Sequence, residues 1–296
     1  MTAEERKARA EIKQKLKDRI SQVGSVYAII PIHRDRMFLM NQRKSCDLAL
    51  GSYLRRAEGW RKEKPEAERK EIAARVAAML DGSADAGQHS EVIDVSRKGS
   101  EAFTLKEDQE AWKLEYVAKT LPVWDAWAKD VKGFGARSLG VIVGEAGDLS
   151  NYDDYSKLWK RMGLAVMDGI RQGGLPKTAS KDEWKEHGYN PKRRSHMFII
   201  GECLTKAAGQ YRDIYLARKE YERDRAATSG LVVLPSARIP KDDREGYMSD
   251  GHIHRRAQRY MEKRFLRDLW KAWRKAIDVM PEIAEGSLPS ARDLAA

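Results

Sequence analysis

Apolar residues recur along this chain at spacings of three and four, the period of a helix buried on one side. Ile72, Val76 and Leu80 share one face of a helix over about 65–80. That helix opens with Pro65 in its first turn and closes near Gly82. Residues 2–22 read as a charged helix, weakly amphipathic through Ala10, Ile12, Leu16 and Ile20. Residues 34–60 follow with Met37, Leu39, Met40, Leu48, Leu50 and Leu54 among interleaved arginines. Further helices are predicted over 105–121, through Trp124 and Trp127, within 152–164 with a cap near Gly163, around Trp184, and over 192–225. The last, over 252–280, carries Tyr260, Phe265, Leu269, Trp270, Trp273 and Ile277 on a wide apolar face. One stretch departs from this period. Residues 23–32 form an apolar run that reads as a strand, and Pro31 confines it to an edge or an extended connection. The pattern therefore predicts a mainly α protein.

Composition divides the chain into four segments. A helical N-terminal region spans 1–82, and a linker rich in Gly, Ser and Asp spans 83–104, with a short apolar pulse at Val92-Ile93-Asp94-Val95. An all-α domain spans 105–280, and a mobile tail is expected at 281–296. Residues 165–188 and 226–250 read as largely loop.

Charge narrows the partners. Lys and Arg number 56 against 45 Asp and Glu in 296 residues, a formal charge of +11. An excess of this size favours polyanions: DNA, RNA or an anionic membrane. No run of about 18 apolar residues exists to span a bilayer, which argues against a membrane partner. The N-terminus lacks the apolar core of a secretory signal. The two cysteines, Cys46 and Cys203, suggest neither a zinc site nor a disulfide framework and fit a reducing, cytoplasmic setting. Phosphate-loop, nucleophile-elbow and zincin motifs are lacking, and no cofactor is implied.

The stretch from Trp127 to Val143 holds the most specific local signal. It reads as a helix end, a Gly133-Phe134-Gly135 turn, and a new helix that resumes with Ala136 and Leu139–Val143. Two glycines around one apolar residue allow close backbone approach, and the amides of the turn and of the helix it opens suit a phosphate oxygen. Lys132 and Arg137 flank the turn. This is the pattern of a helix-hairpin-helix, a sequence-independent grip on nucleic-acid backbone; a plain corner in a helical core is the alternative. A second basic element, Lys192-Arg193-Arg194, stands at a helix start, against the preference of the helix dipole. Arg255, Arg256 and Arg259 make a third. Asp148, Asp153 and Asp154 read as caps. His252 and His254 read as surface or phosphate contacts, and Trp159, Trp184, Trp270 and Trp273 as core.

Taken together, residues 105–273 resemble the C-terminal domain of the DEDD-type insertion-sequence transposases, the bridge recombinases. The resemblance rests on the order Gly133-Phe134-Gly135, Gly147-Asp148-Leu149-Ser150-Asn151-Tyr152, Leu158 to Leu164, Pro191-Lys192-Arg193-Arg194, Leu204 to Ala208, and Gly251 to Ala257 with Leu269-Trp270. It implies DNA as partner, structured RNA as a second possibility, a homodimer or larger assembly, and a bacterial or phage protein at the nucleoid. Family members also carry an RNase H-like domain with four magnesium-binding carboxylates, and a nucleophilic serine between the Gly-Leu helix and the basic element. Here no such carboxylate set is present, and Ala165 to Gly174 holds no serine; Ser180 and Ser195 lie elsewhere. The resemblance thus implies a relative that binds DNA and has lost strand transfer, magnesium being needed only if catalysis persists. A bulky residue at Gly135 should block backbone approach and weaken DNA binding for every sequence; unchanged affinity in a gel-shift titration would remove the hairpin from the interface.

Overall fold

A computed structural model describes residues 2–167, 169–173, 175–176, 178–240 and 245–278. The tail expected at 281–296 lies outside the described residues, as do Asp168 and Gly174. The fold is mainly α. Its helices are α1 (Ala3–Ala57), α2 (Glu66–Asp81), α3 (Ser90–Ala118), α4 (Pro122–Ala126), α5 (Ala136–Ala146), α6 (Tyr155–Arg161), α7 (Lys181–His187), α8 (Pro191–Lys206), α9 (Gln210–Thr228) and α10 (Asp250–Asp278). Two small ribbons complete it. β1 (Val166–Met167) pairs antiparallel with β2 (Ile170–Arg171), and β3 (Val232–Leu234) pairs parallel with β4 (Tyr247–Ser249).

The chain forms two compact units, and it passes between them inside α1 and inside α3. One unit joins residues 1–30 to 114–296, and the other holds residues 31–113. In the smaller unit Leu54 of α1, Val76 of α2 and Ile93 of α3 form the core, with Leu50, Met79, Leu80 and Ala86 packed around it. Glu107 of α3 accepts from both Arg36 and Arg43 of α1, at 3.5 and 3.0 Å. Gly82 ends α2 in the left-handed conformation (φ 81°), as its position past the apolar face requires.

In the larger unit α10 is the central element, touching α4, α6, α8 and α9. Ile253, Ala257, Met261, Phe265, Leu269 and Trp273 lie four apart and are all buried. A four-residue row is inclined to the axis of a 3.6-residue helix, so successive members face different neighbours. Phe265 sits at the centre, its ring 4.7 Å from Phe134, 5.2 Å from Tyr211 and 6.0 Å from Trp127. Further along, Trp270 donates to the Tyr152 carbonyl (2.9 Å) and Trp273 to Asp148 (3.0 Å). The tryptophans of α10 are thus structural, as their helical spacing suggests. Asp148 and Asp154 act as caps, accepting from the amides of Ser150 (2.9 Å) and Ser156 (2.7 Å).

Four sequence expectations change. Residues 23–32 are helical rather than a strand: α1 breaks at Gly24 (φ 75°, ψ 160°) and resumes, burying Ala28, Ile29 and Ile32 at helical spacing. Burial of that face overrides the β preference of an Ile- and Val-rich run. The expected linker is largely helix, since α3 begins at Ser90 and puts Ile93 into a core while Val92 and Val95 stay exposed. The helix expected at Trp124–Trp127 is only the five-residue α4 followed by one tight turn at Ala128–Asp130. The long helix expected over 192–225 is two, parted at Ala207 (φ −75°, ψ 137°) and Gly209 (φ −156°, ψ 176°).

Gly133 lies against that break. Its φ is +84°, and a β-carbon there would lie 2.7 Å from the Cys203 carbonyl oxygen and 2.7 Å from the Ala207 methyl. The turn before α5 therefore abuts the end of α8 backbone to backbone. Gly135 differs, with φ −102° and nothing within 4 Å of a β-carbon. Gly133→Ala should cost roughly 1–3 kcal/mol from backbone strain alone, with more from the clash. Gly135→Ala should stay within about 0.5 kcal/mol of the parent. Urea denaturation of the two variants measures both, and equal midpoints would refute the packing role of Gly133.

Candidate nucleic-acid interface

The hairpin residues divide between core and surface. Phe134 is buried against Phe265, and Gly133 is used in the approach to α8. Both are expected at a phosphate; in the structure the Phe134 ring packs inward and Gly133 also allows the close approach of α8. Lys132, Gly133, Gly135 and Arg137 are exposed. Gly135 is the cap of α5, whose first-turn amides have no acceptor within the helix. Arg137 is bound to Glu115 at 2.6 Å, a half-exposed pair of the kind that contributes little.

The basic start of α8 is held by the fold in three ways. Asn190 caps it, its side-chain oxygen accepting from the amides of Lys192 (2.9 Å) and Arg193 (3.3 Å). Arg193 pairs with Glu145 of α5 at 3.1 Å, and Arg194 pairs with Glu262 of α10 at 2.8 Å. Carboxylates from neighbouring helices thus supply the negative charge that the first turn lacks. Of the three, only Lys192 is a freely exposed cation; Arg193 and Arg194 were expected there as well, and both are half-buried. On α10, Arg256 pairs with Glu222 (3.2 Å) and Arg255 donates to the Gly251 carbonyl (3.1 Å).

The strongest electrostatic feature of this unit is a cluster built from three segments. Glu262 is completely buried on α10. It fits because Gly201 of α8 has no side chain: a β-carbon there would collide with Glu262 Oε1 and lie 2.7 Å from Gln258 Nε2. Arg194 closes over it from α8. Arg259 Nε is buried without a hydrogen-bond partner, and the guanidinium's pKa is lowered by burial, then by the charges of Arg194 and Arg171. The Lys263 pKa is lowered by burial and by Arg259; its ammonium stands 5.0 Å over the Trp159 ring. The His252 pKa is lowered by burial and then by Arg256, Arg255 and Arg171. Among the described residues no carboxylate is in ion-pair contact with Arg171, Arg259 or Lys263. Arg194 and Arg259 therefore act on one buried carboxyl group, while Arg171 and Lys263 lie within electrostatic reach of Arg259.

The third segment is held in place by buried polar contacts. Arg171 ends β2, and its neighbour Gln172 is buried with every hydrogen bond local. Gln172 accepts from the Ala165 amide (2.9 Å) and donates to the carbonyls of Lys160 (2.9 Å) and His187 (3.2 Å). Gly173 (φ +80°) then lies against Tyr189, whose Cζ would be 2.8 Å from a β-carbon at that position. These contacts bring Arg171, from a stretch that reads as loop, toward α8 and α10.

Arg194 and Arg259 were legible in the sequence as part of the basic footprint. Arg171, Lys263 and Glu262 were not. Arg171 is an isolated cation among glycines, and Glu262 is one acid among many on a charged helix. A fourth-residue stripe from Ile253 to Trp273 with Gln258 and Glu262 one position after two of its members was the only available signal. A separate cavity of about 1040 Å³ elsewhere in this unit has apolar walls that include Tyr27, Trp127, Trp273 and Ile277, and both acidic (Asp148, Asp268) and basic (Lys119, Lys271) side chains at its edge.

Burial raises the Glu262 pKa and the Arg194 ion pair lowers it; burial wins, and the value lies at about 7. From the ordinary 4.5 up to about 7, the folded protein keeps a proton that the unfolded chain releases, so stability falls as pH rises through this window. Glu262→Gln should remove that part of the slope. Denaturation midpoints taken at intervals from pH 5 to about 8 test this, and slopes equal in parent and variant would refute it.

Compared with known proteins, the chain matches no protein-family model, no curated protein and no solved structure.

Proposed function

We propose that the larger unit binds nucleic acid through its phosphate backbone, with duplex DNA the first partner to test. The observation that carries this reading is the group of half-buried cations Arg194, Arg259 and Lys263, with the exposed Arg171 beside Arg259, against the single carboxyl group of Glu262. Desolvated cations in excess of their counter-ions repel one another, and a phosphate relieves that repulsion. Arg255, Arg256 and His252 extend the patch along α10. Lys132, Arg137 and the exposed Gly135 offer a second contact at the start of α5. Backbone contacts of this kind position a duplex without reading its sequence. The resemblance of the 105–273 motifs to a transposase C-terminal domain supports the same reading and supplies DNA as the first polymer. Neither the magnesium-binding carboxylates nor the serine of that family has a counterpart in the sequence, so binding without strand transfer is the function proposed.

Duplex binding should weaken steeply between about 50 and 200 mM salt, with a log–log slope near −0.9 per phosphate contacted. Arg259→Ala and Arg171→Ala should each weaken binding alike for unrelated sequences and reduce the slope by about 1. Fluorescence anisotropy with duplex DNA, single-stranded DNA and a structured RNA is the direct measurement. Tighter binding of the RNA would make RNA the partner. No binding at low salt, or full affinity in the Arg171→Ala/Arg259→Ala double variant, would overturn the proposal.

A further inference from the structure

We propose that Arg171, Arg194, Arg259 and Lys263 form a pocket for one backbone phosphate, and that Glu262 is its internal counter-ion, taking up a proton when the phosphate enters. This rests on the nucleic-acid reading above and specifies how one contact of that interface works.

The geometry behind it is a confined carboxyl group. Glu262 lies fully buried between α8 and α10, where only a glycine at 201 leaves space for its Oε1. Its charged neighbours are Arg194 from α8 and Arg259 on its own helix, with Gln258 beside them; Lys263 and Arg171 act on Arg259, as does the Tyr189 phenol. An ionised Glu262 partly neutralises Arg194, which holds it at 2.8 Å, and Arg259. A phosphodiester entering the pocket brings a second negative charge to the same guanidinium groups. Two anions sharing one set of cations raise each other's proton affinity, and the phosphodiester, a strong acid, does not accept the proton. Glu262 does. One proton from solvent moves to its carboxyl group, Arg194 turns its charge to the phosphate, and the buried acid stays neutral beneath it. The Glu262 pKa of about 7 in the free protein places this exchange at neutral pH.

The consequence is that affinity depends on pH in a range where DNA itself does not titrate. From pH 7 to 8.5 the parent should lose affinity by up to about tenfold per unit, the limit for one linked proton. Glu262→Gln, which cannot ionise, should lose this dependence and bind more tightly than the parent at the upper end. His252, Lys263 and the other titrating groups are retained in the variant, so the difference between the two profiles isolates Glu262. The experiment is anisotropy with one duplex at fixed ionic strength across this range. It is paired with calorimetric titration of the unmodified protein at pH 8 in two buffers of different ionisation heat. Net uptake of a substantial fraction of one proton supports the pocket even if the variant folds poorly. Binding without proton uptake, or parallel profiles in parent and variant, overturns the pocket and leaves the nucleic-acid reading standing. Failure of the parent to bind DNA or RNA at any pH overturns both.

Discussion

The larger unit depends on the inclined row of buried residues along α10. With Ile253, Ala257, Met261, Phe265, Leu269 and Trp273 four apart, the buried face turns gradually about the helix. One helix can then contact α8 and α9, and also α4 and α6, without bending. Full burial of a large apolar side chain contributes about 1.5–3 kcal/mol, so a six-residue row is a major share of what holds this unit together. Phe265 joins three aromatic partners from the hairpin turn, α9 and the segment before the turn. The tryptophans at the far end attach the 148–152 segment through their indole nitrogens.

Close approach is the second constraint, and it is met by glycines. Gly133 admits the end of α8, Gly140 admits Leu114 of α3, and Gly201 admits the carboxyl group of Glu262. The first two make ordinary packing. The third encloses an ionisable group, which a packed core disfavours unless it is paired or neutral. Arg194 is the partner, and further cations gather above it. The same α8–α10 contact that stabilises the fold therefore creates its most polarised surface.

Much of this was readable from the chain. Helical spacing identified most of the helices, and the apolar face of α10 was evident from Phe265, Leu269 and Trp273. Proline and glycine marked the ends of α2, and aspartates marked the caps at 148 and 154. The apolar run at 23–32 was misread because short β-branched segments have no periodicity of their own to distinguish strand from buried helix. The linker reads as loop because its polar composition leaves only the short pulse around Ile93 to mark the buried face of the first turns of α3. Cationic residues were also overcounted as free, since Arg137, Arg193 and Arg256 meet Glu115, Glu145 and Glu222 from elsewhere in the chain.

The sequence by itself determined a mainly helical protein with a strong positive excess and a wide apolar face on its last long helix. Those properties follow from local periodicity and from composition, which need no knowledge of what lies opposite. Tertiary structure decided which cations keep their charge available and which are neutralised. It also decided that Glu262 is buried, that Gly133 lies against the end of α8, and that Arg171 comes within electrostatic reach of Arg259. Each of these depends on residues many positions apart being brought within a few ångströms, and electrostatic energy depends on that distance and on burial. Neither quantity is written in the order of the residues.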